Sequence, residues 1–143
     1  MFVMQLCWSV YLCFLGWLDI RHRKIPLLYL LLGIGTAFGV LFFQEKGMWV
    51  LSLGGAGVGI LFLGISKMTK EALGYGDSLV ILGLGILLGL WQVMTVLVMA
   101  FSLAAISSMI LLVLKKMNRR TTLPFIPFLT LSYLVIFVSG LIP

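Results

Sequence analysis

The sequence predicts an all-α fold, a polytopic membrane helix bundle of about six transmembrane helices, and three observations carry that reading. The chain of 143 residues is 62% hydrophobic and 10% charged, whereas a soluble domain carries roughly 25% charge. Apolar runs long enough to cross a bilayer recur along its whole length. Its basic residues fall in a few short loops, as they do in polytopic membrane proteins. Fourteen charged side chains, 10 basic and 4 acidic, cannot solvate a chain of this size, so a soluble enzyme is excluded.

The runs are, in order, Phe2–Leu18, Leu27–Phe43, Met48–Ser66, Ser78–Leu90, Gln92–Leu114 and Pro124–Leu141. Most approach the roughly 17–25 residues that span hydrocarbon. The fourth is short, which fits either a thinned bilayer or a helix that starts in a protein-lined aqueous recess. With the amino terminus outside, Arg21, Arg23, Lys24, Lys67, Lys70, Lys115, Lys116, Arg119 and Arg120 all fall inside, leaving Lys46 outside among the 10 basic residues. The first run has no basic residue before it and no small-residue cleavage site after it, so it reads as a retained span. No stretch reads as a linker, so residues 1–143 are expected to form a single membrane-embedded domain.

Trp17, Trp49 and Trp91 stand near run ends, where interfacial anchors belong. Gly35/Gly39, Gly55/Gly59 and Gly85/Gly89 have the spacing that lets helices approach closely in lipid, and bundle packing explains them better than a nucleotide loop does. The net charge of +6 is topology, because no basic run is interleaved with aromatics as a nucleic-acid partner would require. Cys7 and Cys13 lie in one apolar run and His22 is the sole histidine, so neither a disulfide framework nor a metal centre of soft or imidazole ligands is expected. No cofactor is implied.

The chemistry rests on carboxylates. Asp19 ends the first run just before Arg21, His22, Arg23 and Lys24, with Ile25 and Pro26 opening the next helix. Gly74-Tyr75-Gly76-Asp77 leads directly into the fourth. Each aspartate alone has a plainer reading: Asp19 as an interfacial carboxylate paired with Arg23, Asp77 as the cap of a helix start. Together they weigh more, because carboxylates near membrane depth are costly and rarely kept without function. Glu71 sits among lysines on a solvated loop, and Glu45 lies on the opposite side. Two aspartates across a wet pocket would share one proton; the ionised one would take a proton from water while the protonated one bonds the carbonyl oxygen under attack. That is aspartic-protease chemistry. Glycines at 74 and 76 would let an extended substrate strand come close to Asp77.

Asp19 with Arg21-His22-Arg23-Lys24-Ile25-Pro26, then Gly74-Tyr75-Gly76-Asp77, then Leu123-Pro124-Phe125-Ile126-Pro127-Phe128-Leu129 before a last span, resembles the type IV prepilin peptidase family over nearly the whole chain. The resemblance implies Asp19 and Asp77 as the catalytic pair of a membrane-embedded aspartic peptidase, with Gly74, Tyr75 and Gly76 at the substrate approach. Ile25, Pro26, Pro124 and Pro127 would be structural near the site. It implies a substrate with a short basic leader followed by an apolar helix, surrounding membrane lipid, and a multi-pass place in a prokaryotic cell membrane with the site facing the cytoplasm. The Gly-x-Gly-Asp element also resembles presenilin-type proteases, which place the first aspartate within a span. Longer family members carry a paired C-x-x-C domain linked to N-methylation, so this chain is expected to be a short form without it. Where the family commonly has Lys two positions after the second aspartate, Leu79 stands here.

Two other readings compete. A small transporter or channel would use Asp19 and Asp77 to bind a proton or cation, but would want them near the midplane. A structural homologue that kept the fold without activity would fit Leu79. Both peptidase arguments need the aspartates inside. Cysteine placed at Lys46 should therefore react with a membrane-impermeant reagent in intact cells and cysteine at Lys70 should not; the opposite labelling would overturn the topology.

Overall fold

A computed structural model describes residues 2–22, 25–43, 47–69, 74–114 and 124–140. Among these the chain is all α, with six helices: α1 Phe2–His22, α2 Leu27–Phe43, α3 Trp49–Met68, α4 Tyr75–Leu88, α5 Leu90–Val113 and α6 Ile126–Val138. It is a helical membrane protein. Glu45, Glu71, Arg23, Lys24, Lys46, Lys70, the basic run 115–120 and Leu123 lie outside the described residues.

Helix boundaries depart from the apolar runs where hydrogen bonding, not hydropathy, decides them. α1 continues four residues past Leu18, so Asp19 lies inside its last turn. There Arg21 sits over the exposed Trp17 ring at 5.3 Å, a cation–aromatic pair suited to an interface. α1, α3 and α5 are long and apolar enough to cross a membrane, while α2, α4 and α6 are shorter apolar helices. The sixth run was expected to span 18 residues from Pro124; α6 has 13. It begins two residues late, because Pro127 can sit only in a first turn, and ends before Gly140, whose φ of 71° breaks the helix.

The chain divides into two compact units, residues 24–95 and residues 1–23 with 96–143. In the first, α4 packs on both α2 and α3. Its contacts with α3 run antiparallel: Gly89 on Leu51, Leu90 on Gly54, Gly85 on Gly55, Leu82 on Gly59, and Ser78 Oγ donating to the Phe62 carbonyl at 3.3 Å. At Gly55 and Gly85 the two backbones touch, and a Cβ on either would overlap the other's carbonyl. Without a hydrophobic drive between helices in lipid, such close packing is what holds them. α4 and α5 are separated by one residue, Gly89, at φ 81° and ψ 175°, a conformation essentially confined to glycine. The loop expected near Trp91 is therefore this single residue.

Gly35 and Gly39 behave differently. A Cβ on either would meet nothing within 4 Å, and α2 buries Leu30, Gly33, Ala37 and Val40 instead. Spacing alone does not say which side of a helix a glycine pair occupies.

In the second unit α1 packs on α6, also antiparallel. Tyr133 Oη donates to the Gln5 carbonyl at 3.2 Å and Thr130 Oγ1 to the Leu12 carbonyl at 3.0 Å. A Cβ on Gly16 would stand 3.2 Å from Thr130 Oγ1 and 3.6 Å from Pro127 Cα. Gln5, Leu12, Gly16 and Asp19 recur at helical spacing and form the face of α1 turned to α6. Phe125, the N-cap of α6, packs its ring at a tilt, with centroids 4.9 Å apart, on Phe101 of α5.

Gly85→Ala should cost about 1–3 kcal/mol, the usual penalty of overpacking, whereas Gly39→Ala, at an open position inside α2, should stabilise by up to about 1 kcal/mol, because glycine is that much poorer than alanine in a helix. Thermal unfolding of the two proteins in the same detergent checks this; equal effects would contradict the backbone contact.

Candidate active site

The two aspartates stand in different units, and each is set by its own helix terminus. Asp77 is the third residue of α4, whose N-cap is Gly74. It is therefore not the cap residue itself, as the plainer reading of the sequence had it, but a first-turn acid at the positive end of the helix dipole. Gly74 has no side chain with which to cap, and the Asp77 carboxylate leans back over it. A Cβ on Gly74 would lie 2.9 Å from Asp77 Oδ2 and 3.3 Å from Cγ. Gly74 has φ −55° and ψ 127°, which any residue can adopt, so a side chain there is opposed by the space the Asp77 carboxylate occupies and not by backbone strain.

Gly76 and Tyr75 belong to the same turn. A Cβ on Gly76 would make ordinary contact with Leu30 Cδ1 of α2 at 3.6 Å, so packing leaves room for alanine there. Tyr75 is exposed. Ser78 and Leu79, next along, are buried; Ser78 anchors this end of α4 to α3 through Phe62. Leu79 stands in the packed interior of the helix, a position that suits an apolar side chain.

Asp19 is partly buried in the last turn of α1. One carboxylate oxygen accepts a hydrogen bond from the backbone N–H of Ile126, the first residue of α6. The other, Oδ2, is buried without a hydrogen-bond partner among the described residues. Arg23, the ion-pair partner considered for it, is outside those residues. Pro127 occupies the first turn of α6 and Pro124 the segment just before it, while Ile25 and the exposed Pro26 form the short connection ahead of α2. The prolines thus start helices, as a structural role requires. Among the described residues no three His, Cys, Asp or Glu side chains gather in one place.

Sequence reasoning did not find Ile126. Its signal was present: a helix start after a proline, with an apolar N-cap and a second proline that has no N–H to give, leaves one free donor in search of an acceptor.

An all-α membrane protein with one aspartate at the start of a helix and another against the start of a second fits a membrane-embedded hydrolase. Residues 6–109 match the type IV leader peptidase family, which includes both aspartates and the Gly74–Asp77 element. The chain belongs to the type IV leader peptidase family. It is also 28% identical over 142 residues to a protein of Xanthomonas campestris pv. campestris named prepilin leader peptidase/N-methyltransferase, a match covering 92% of this chain and 48% of the relative. The chain thus spans about half the length of that curated relative. No solved structure matches it. The prolines at 124 and 127 lie beyond the family match.

The two motif glycines should respond oppositely to the same change. Gly76→Ala should stabilise by up to about 1 kcal/mol, because glycine is that much poorer than alanine within a helix. Gly74→Ala should destabilise by about 1 kcal/mol as it displaces the acid from the helix start. Thermal melts in one detergent separate the signs; stabilisation by both would show that Gly74 does not make room for Asp77.

Proposed function

We propose that this membrane protein is an aspartic endopeptidase that removes the short leader from type IV prepilin-like precursors at the cytoplasmic face of the membrane. The observation that carries the reading is family membership over a segment holding two aspartates, each fixed at a helix terminus. The relative's name joins leader cleavage to N-methylation, and the proposal takes the first because carboxylates supply hydrolysis.

Asp19 and Asp77 are the catalytic pair. One is ionised and removes a proton from a water whose oxygen attacks the scissile carbonyl carbon. The other, protonated, donates to the carbonyl oxygen as negative charge builds on it. Collapse of the tetrahedral species breaks the C–N bond, and the proton taken from water passes to the leaving amine. The dyad ends with one proton, as it began. Gly76 keeps the backbone open for substrate beside Asp77. Recognition combines the basic leader with the apolar helix that follows it, which stays among the lipid and the protein's helices.

Asp19→Asn and Asp77→Asn, compared at matched membrane levels in liposomes with a prepilin-like precursor, should each abolish nearly all cleavage, and the double variant should be little worse, since residues that act as one unit are not additive. The wild-type rate should follow a bell-shaped pH profile whose limbs belong to the pair. Glu71→Gln should stay active. Either Asn variant retaining a sizeable fraction of the rate would sink the two-carboxylate mechanism and favour proton or cation binding instead.

A further inference from the structure

The start of α6 is built so that one backbone donor has no partner of its own. An α-helix leaves its first N–H groups without intrahelical acceptors. In α6, the Phe128 and Leu129 amides both turn to the Phe125 carbonyl, at 3.0 and 3.1 Å. Pro127 has no amide hydrogen, and the N-cap Phe125 makes no side-chain capping bond. That leaves the Ile126 N–H, which Asp19 accepts. Since Oδ2 has no partner among the described residues, the oxygen bonded to Ile126 is Oδ1.

The neighbouring contacts hold this pairing in register. One turn before Asp19, Gly16 has no side chain where α1 meets Pro127. A further turn back, Leu12 accepts from Thr130. On the far side, Phe101 packs against Phe125, and Ile126 is 1% exposed. The donor is therefore fixed from several sides and cannot easily follow a moving carboxylate.

Resting on the peptidase reading above, we infer that the first turn of α6 is the positioning element of Asp19. The Ile126 N–H holds Oδ1, sets the plane of the carboxylate, and leaves Oδ2 uncommitted, as the oxygen that takes part in the reaction once bound substrate and its water open the site to it. Ile126 is a positioning residue acting through its backbone, and its side chain serves only to seat it. The second proline of the Pro-Phe-Ile-Pro sequence contributes by silencing the next amide, so that Asp19 meets a single donor and keeps one oxygen uncommitted.

The test replaces the Ile126 amide with an ester, using the α-hydroxy acid counterpart of isoleucine in cell-free synthesis into liposomes. An ester at Ser132 serves as control, because it also removes one donor and weakens one acceptor in α6, away from Asp19. Cleavage of a prepilin-like precursor is read as kcat and KM. The ester at 126 should lower kcat about tenfold, as loss of a hydrogen bond to a charged group would, with KM within about twofold. The ester at 132 should leave kcat within about twofold, since it touches no reacting group. Ile126→Pro should likewise show a lower kcat than Ile126→Ala, which keeps the donor. Equal kcat for the two esters, a change confined to KM, or failure of the 126 ester alone to fold would each overturn the inference. Asp19→Asn in the same assay separates the two proposals: if it cleaves, the peptidase reading fails, and if it is dead while the 126 ester is normal, only the positioning role fails.

Discussion

The first amide hydrogens of a helix need acceptors from outside it, and this constraint bears on both helix starts where the protein keeps its aspartates. Neither relevant helix can cap itself. α4 starts on Gly74 and α6 on Phe125, and neither makes a side-chain capping bond. For α6 the acceptor is an acid on another helix; α4 carries an acid in its own first turn, at the positive end of the dipole. The carboxylates proposed for catalysis thus both lie at helix starts, and Asp19 completes one of them.

That double duty explains the small residues around them. Gly74 is empty so that the Asp77 carboxylate can lie over it, and Gly16 is empty so that α1 can reach the start of α6. Farther away, Gly55 and Gly85 bring α3 and α4 into backbone contact, which fixes α4 and with it Asp77. Ser78 adds a hydrogen bond to the same end of that helix. In lipid, where burying apolar surface gains little, close backbone approach and a few interhelical hydrogen bonds are the available means of fixing geometry. Stability and the placement of the two aspartates are therefore carried by the same contacts.

Leu79 illustrates how a departure from a family's habit reads in a structure. It is buried in α4 beside Ser78, so the residue serves packing, one position beyond the serine that ties α4 to α3. The two aspartates do not depend on it for their helix-end contacts. Its presence is compatible with a dyad held by backbone and helix termini.

Much was legible without coordinates. Composition and long continuous apolar runs determined an all-helical membrane fold, because a run of that length satisfies its own backbone in lipid only as a helix. The Gly-x-Gly-Asp element and the Asp19 segment marked the family and the acids. What required tertiary structure was which neighbour each group meets. Hydropathy could not place the end of α1, which carries Asp19 inside the helix, nor the start of α4, which takes in Tyr75, Gly76 and Asp77, because helix ends are set by hydrogen bonding and not by apolarity. Gly35/Gly39 and Gly55/Gly59 share a spacing, yet only the second pair meets another helix, because spacing fixes a face and not what that face touches. The Ile126 amide as the partner of Asp19 links residues more than a hundred positions apart, and only the antiparallel packing of α1 on α6, where Gly16 faces Thr130 and Pro127, brings that donor to that acid.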